Sequence, residues 1–248
     1  MTADHPHHSA RRLGRTIGVL YLVNVIAGIF SLMVVPAQTS GHGDPVAAAR
    51  NILAHESLFR AGIVVALLCY VEFLLVPLAL YRLLGAAHRS AAMLMVALAA
   101  ISIPLSIAPL AHQLDALTLL GNAGYLHVYD AAQLHAQLML QLNAYGNGLL
   151  MAQIFWGLWL LPFGYLVWVS RQLPRLLGAL LILGGLGYVA DFLGQIMLPG
   201  YSDLAIANYL TMPAGLGEIG TCLWLLIMGA RPLAPARIGE AATQASRA

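Results

Sequence analysis

No lysine occurs in this chain; its twelve basic residues are all arginine. Without lysine there is no glycine-rich loop ending in the residue that reaches a nucleotide's phosphates. Arginine-only basicity is what codon bias in a GC-rich bacterial genome produces. The formal net charge of +2 is too small to draw in nucleic acid. Charge of either sign is scarce, at 9% of residues, against about 25% in soluble domains, so no extensive water-facing surface can be built. Cysteine is nearly absent, and Cys69 and Cys222 both fall in apolar runs. Buried there they act as small hydrophobes, which excludes a disulfide framework. No CxxC, CxxCH or HExxH spacing occurs, so the sequence implies no metal and no cofactor.

What the chain has instead is apolar residues, 60% of 248. A helix needs roughly 20 of them in a row to cross a bilayer. Six runs qualify, at 16–35, 60–84, 91–114, 146–170, 175–198 and 205–230. The expected fold is therefore an all-α, polytopic membrane bundle of six transmembrane helices. One membrane domain spans 12–231, between disordered tails at 1–11 and 232–248. Residues 90–170 hold no arginine, whereas Arg11, Arg12, Arg15, Arg82, Arg89, Arg171, Arg175, Arg231, Arg237 and Arg247 fall on one side of the spans. Only Arg50 and Arg60 fall on the other. The excess of positive charge on the cytoplasmic side predicts both termini inside the cell, N-in and C-in. A rival reading takes the first span as a signal peptide cleaved near Val35-Pro36-Ala37, but its apolar stretch is long for that and Asn24 interrupts it.

Two short helices are predicted at the outer face. Asp44-Pro45 opens one, with Asp as N-cap and Pro at the first helical position. Asp130 with Gln133 resembles a capping box and opens the other, which extends the fourth span outward. Tyr125, Tyr129 and Tyr145 suit an interfacial belt. An internal echo is weak: Arg15-Thr-Ile-Gly18 and Arg175-Leu-Leu-Gly178 each open a span that closes at proline, followed by a span with one central glutamate.

Four stretches together resemble a known family. They are GVLYLVNVIAGIF in span one, DPVAAARNILAHESLFRAG entering span two, FWGLWLLPFGYLVWVSRQLPRLLGALLILGGLGYVADFLGQIMLPGY across spans four and five, and GEIGTCLWLLIMGAR in span six. In order and spacing they are similar to the bacterial membrane proteins grouped as domain of unknown function 4386. The resemblance covers about residues 12 to 232 and implies a six-helix protein of the bacterial inner membrane. It supplies no catalytic residue to carry over.

A charge at the bilayer centre costs on the order of 2.5–3.5 kcal/mol on insertion scales, so each carboxylate in a span needs an explanation. Glu72 lies roughly 18 Å below the outer end of its span, Glu218 at similar depth, and Asp191 about 10 Å down. Asn24 is near mid-depth in span one. The cytoplasmic half holds almost no such groups. Tyr188 and Gln195 flank Asp191 on one helical face, and Arg60 is the one basic residue near enough to serve Glu72. Pro77 and Pro213 stand five residues from Glu72 and Glu218; Gly215, Gly217 and Gly220 surround Glu218, and Gly184, Gly185 and Gly187 precede Asp191. Proline frees backbone carbonyls and glycine lets helices approach closely.

These residues predict an outward-facing polar pocket that binds or transports a small ligand, lined by Asn24, Glu72, Gln153, Tyr188, Asp191, Gln195 and Glu218. An alternative is an accessory or structural subunit, in a homo-oligomer or with another membrane protein, whose polar groups only tie helices together. A third is an outer-leaflet hydrolase acting through His112, Asp115 and His135, with Ser102 and Ser106 as faint nucleophile candidates. They lack the strand-turn-helix context of a nucleophile elbow. The lipid bilayer is the one certain partner.

Overall fold

The computed structural model describes residues 5–121 and 123–233, and the remainder of both expected tails lies outside the described residues. All regular structure among the described residues is helical. Six helical runs are long and apolar enough to cross a membrane: Ser9–Thr39, Glu56–Leu84, Arg89–Leu120, Ala131–Ser170, Arg175–Met197 and Ala205–Met228. Each contains or overlaps one predicted span. Val19, Val23, Ile26, Leu68, Leu186 and Leu193 are exposed, while Tyr21, Trp159 and Phe163 are buried. That outward apolar belt is suited to lipid rather than water.

The first helix, α1 (His5–Ile29), starts inside the segment expected to be a tail. Its N-terminal turns are anchored to the end of the last helix, α11 (Met212–Met228). Arg11 Nε donates to the Met228 carbonyl at 3.1 Å and Arg15 Nη2 to that of Ile227 at 3.2 Å. Both guanidinium groups thus satisfy carbonyls left without donors at a helix C-terminus, where positive charge is favoured.

Proline shapes most of the spans. Its ring carries no N–H for the carbonyl four residues earlier and clashes with it. Ahead of Pro36 the chain widens into a π-helical turn, Phe30–Val34, before α2 (Val35–Thr39). Pro77 separates α4 (Glu56–Phe73) from α5 (Leu75–Leu84) immediately after Glu72. Pro104 lies inside α6 (Arg89–Ile107), and Pro109 stands at its junction with α7 (Leu110–Leu120). Pro162 parts α8 (Ala131–Leu158) from α9 (Leu160–Ser170) at Trp159. Pro213 sits in the first turn of α11, and residues 201–208 form short 3₁₀ turns instead of continuing the predicted sixth helix. Glu218 consequently lies close to the start of α11.

Glycine lets the helices touch. Gly14 and Gly18, four residues apart on α1, face α11: a Cβ on Gly14 would lie 2.5 Å from the Ala230 nitrogen, and one on Gly18 2.7 Å from the Leu226 Cα. α10 (Arg175–Met197) runs through the middle of the bundle and meets α8, α9 and α11. Gly185 approaches the Gly157 carbonyl and Gly178 that of Gly164. This is small-residue packing of the kind that joins membrane helices.

Both predicted helix starts occur. Asp44 caps α3 (Pro45–Ala54), accepting from Val46 N at 2.9 Å and Ala47 N at 3.3 Å. Asp130 and Gln133 form the full capping box of α8. α3 is not isolated. Its Ala48, Ala49 and Ile52 bury against Val35, Ala116 and Leu138, making a second small core at the end of the bundle away from most arginines.

Candidate functional site

A cavity of about 180 Å³ occupies the middle of the bundle. α1 supplies Asn24 and Gly28 to its wall, α4 supplies Cys69, Tyr70 and Phe73, and α6 supplies Ser102, Ile103 and Ser106. Trp156, Trp159, Tyr188 and Glu218 complete it from the other side. Glu218 accepts a hydrogen bond from Tyr21 at 2.8 Å through Oε1. Tyr21 is only 1% exposed, so the second half of α1 and the first half of α11 are joined by a hydrogen bond whose donor is buried. Asn24 Nδ2 donates to the Cys69 carbonyl at 3.1 Å and contacts Cys69 Sγ at 3.3 Å, joining α1 to α4.

A second cavity, of about 450 Å³, lies toward the arginine-poor end and is lined by Gln153, Asp191, Gln195, Tyr201, Ala207 and Thr211. Trp156 and Tyr188 line both cavities and form the partition between them. The local reason is a glycine: a Cβ on Gly157 would lie 2.5 Å from that of Tyr188, so only glycine lets α8 and α10 come this close. Asp191 is 6% exposed and fully engaged. Its Oδ2 accepts from Gln153 at 2.6 Å and Gln195 at 2.7 Å, and its Oδ1 from Tyr201 at 2.9 Å. Burial pushes the Tyr201 phenol above its ordinary pKa and the Asp191 carboxylate adds to the shift, so the phenol remains a donor at neutral pH.

The seven candidate residues thus divide. Asn24 and Glu218 line the central cavity, Gln153, Asp191 and Gln195 the outer one, and Tyr188 both. Glu72 lines neither of these two. Both its carboxylate oxygens are buried and accept no hydrogen bond of good geometry; the Asn24 amide lies close enough to interact with them but makes its hydrogen bonds to Cys69. Arg60, the candidate partner for Glu72, pairs with Glu56 one turn away at 2.7 Å. An unsatisfied carboxylate stabilises nothing, so Glu72→Gln is expected to leave the melting temperature in detergent unchanged or higher. A fall of several degrees would reveal a partner that Glu72 holds in the membrane.

Tyr21, Trp156, Trp159 and Tyr201 were not among the expected site residues. Tyr21 could have been found three residues before Asn24, on the same helical face. Tyr201 carries no such signal, because it reaches Asp191 from a 3₁₀ turn. Ser102 and Ser106 do face the cavity, but each donates its proton to a backbone carbonyl, Ala99 at 2.7 Å and Ser102 at 2.8 Å. His112 bonds Gln141 at 2.8 Å and stands 3.9 Å from Asp115. Among the described residues no three His, Cys, Asp or Glu side chains gather closely enough to hold a metal ion.

Six helices long and apolar enough to cross a bilayer define a multi-pass membrane protein. Residues 16–229 match the family described as Domain of unknown function (DUF4386), and the chain belongs to that family. No curated protein and no solved structure matches it.

Proposed function

We propose that this protein binds a small ligand in the central cavity and admits it from the arginine-poor end, as a transporter or receptor of a bacterial inner membrane. The arginine distribution supports an orientation with both termini in the cytoplasm and the outer cavity open to the exterior. One observation carries the reading: the two cavities adjoin, with only the side chains of Trp156 and Tyr188 between them, so movement of those two side chains would open a path from the Asp191 end to Glu218. Proline-broken helices around a mid-membrane site are a recurrent transporter arrangement. The structural alternative has support at one point, since Asp191 already has three donors and ties α10 to α8 and to the 201–203 turn.

Cys69 lines the central cavity and provides the test. In a Cys222→Ser background, a membrane-impermeant thiol reagent added to intact cells is expected to label Cys69. Labelling that occurs only after the cells are opened would refute entry from the exterior. A ligand screen on the purified protein then identifies what protects Cys69. Binding at 100 times Kd adds about 2.7 kcal/mol of stability, which a melting curve resolves.

A further inference from the structure

The central cavity carries one carboxylate and several oxygen acceptors, and every donor in its wall is neutral. Ser102 and Ser106 spend their protons on backbone carbonyls and turn only lone pairs to the space. Asn24 spends its amide on Cys69, and no donor among the described residues reaches its side-chain oxygen. Glu218 receives one hydrogen bond, from Tyr21, and no other donor among the described residues reaches its carboxylate. Phe73 also lines the cavity and stands four residues before Pro77, so its carbonyl does not receive the usual helical N–H. The hydroxyls of Tyr70 and Tyr188 can act in either sense, and the indole N–H groups of Trp156 and Trp159 are donors without charge.

No basic side chain reaches this space. None of the described arginines lines it, and Arg60, on the same helix as Glu72, is paired with Glu56. The remaining wall is aromatic: Tyr70, Phe73, Trp156, Trp159 and Tyr188. Aromatic faces carry negative charge density and attract cations, most strongly once water is excluded. A carboxylate, uncommitted oxygens and five aromatic side chains, with no positive charge, leave one chemical complement.

Building on the ligand-binding reading above, we infer that the central cavity takes a small organic cation, an ammonium group seated between the Glu218 carboxylate and the faces of Trp156, Trp159 and Tyr188. The volume of about 180 Å³ limits the guest to a compact molecule. For scale, an apolar cavity of about 150 Å³ accommodates benzene. The lining favours a methylated or alkyl ammonium over a hydrated metal ion, because aromatic faces cannot replace a hydration shell of oxygen ligands.

The test uses three probes of nearly one shape on the purified full chain in detergent: choline, its neutral carbon isostere dimethylbutanol, and the anion dimethylbutanoate. Melting temperature and tryptophan fluorescence are both read. Choline is expected to bind saturably, at least about tenfold more tightly than dimethylbutanol, and dimethylbutanoate not at all. Glu218→Gln is expected to abolish the preference of choline over its isostere. Trp156→Leu keeps apolar bulk but removes an aromatic face, and is expected to weaken choline about tenfold with little effect on dimethylbutanol. Equal binding of choline and dimethylbutanol to the wild type would overturn the cation assignment while leaving a ligand cavity in place. Saturable binding of none of the three would also overturn the cation assignment, while the Cys69 labelling decides the ligand-binding reading separately. The wild-type comparison decides the matter even if Glu218→Gln fails to fold.

Discussion

Asp191→Ala is expected to be among the most destabilising single changes in this protein, costing about 3 kcal/mol. The carboxylate is 6% exposed and accepts from Gln153, Gln195 and Tyr201. Removing it leaves those donors without their acceptor. A buried donor stranded in this way costs roughly 1–3 kcal/mol. The full amount applies to Tyr201, which is itself buried, and less to Gln195, which is exposed and can turn to water. Gln153 is intermediate. Asp191→Asn preserves the shape but turns an amide N–H toward one of the donors, so a smaller loss is expected. Chemical or thermal unfolding in a mild detergent measures both. Full stability of Asp191→Ala would mean that the three donors are satisfied elsewhere and that the cross-link contributes nothing.

The same residue bears on function. A carboxylate with three donors has little capacity left for a ligand, whereas Glu218 with one has more. On the proposed reading the two acidic groups separate, Asp191 as a fastening between helices and Glu218 as the ligand contact. Loss of ligand response in Asp191→Asn without loss of stability would reverse that assignment.

Gly18→Val is the second large effect, expected to destabilise by about 3 kcal/mol and to remove ligand binding with it. A Cβ at Gly18 would lie 2.7 Å from the Leu226 Cα and 2.9 Å from the Leu225 carbonyl carbon. These are backbone atoms of α11, so no side chain can rotate away and the helix itself must move. Overpacking of this kind costs typically 1–3 kcal/mol, occasionally more. Any separation of α1 from α11 also stretches the hydrogen bond from Tyr21 to Glu218. Gly215→Ala is the matched control on α11. Nothing lies within 4 Å of a Cβ there, so exchanging a helical glycine for alanine is expected to add about 0.5–1 kcal/mol. Equal behaviour of Gly18→Val and Gly215→Ala in melting curves would refute close packing as the join between these helices.

By itself, the sequence determined the elements of this protein that depend on local chemistry. Six apolar runs specify six crossing helices because the hydrocarbon layer sets their length and leaves no other way to satisfy the backbone. Asp44-Pro45 and Asp130 with Gln133 specify helix starts because a cap needs only the next few amides. Pro77 marks the break after Glu72 because the missing N–H is a property of that residue alone.

Only the tertiary structure decided how the polar residues are shared out. Asn24, Glu72 and Glu218 look alike in sequence, each a polar group in an apolar span, and Asp191 differs only in having Tyr188 and Gln195 on its face. Packing gives Asp191 three donors and Glu218 one, directs Asn24 to Cys69, and leaves Glu72 with none. Those outcomes depend on partners up to 197 residues away and on glycines such as Gly18 and Gly157, whose effect depends on which helix they meet. Composition records that a glycine is present. The backbone it admits is fixed by how the helices pack, because close approach is a property of two surfaces and each span carries only one of them.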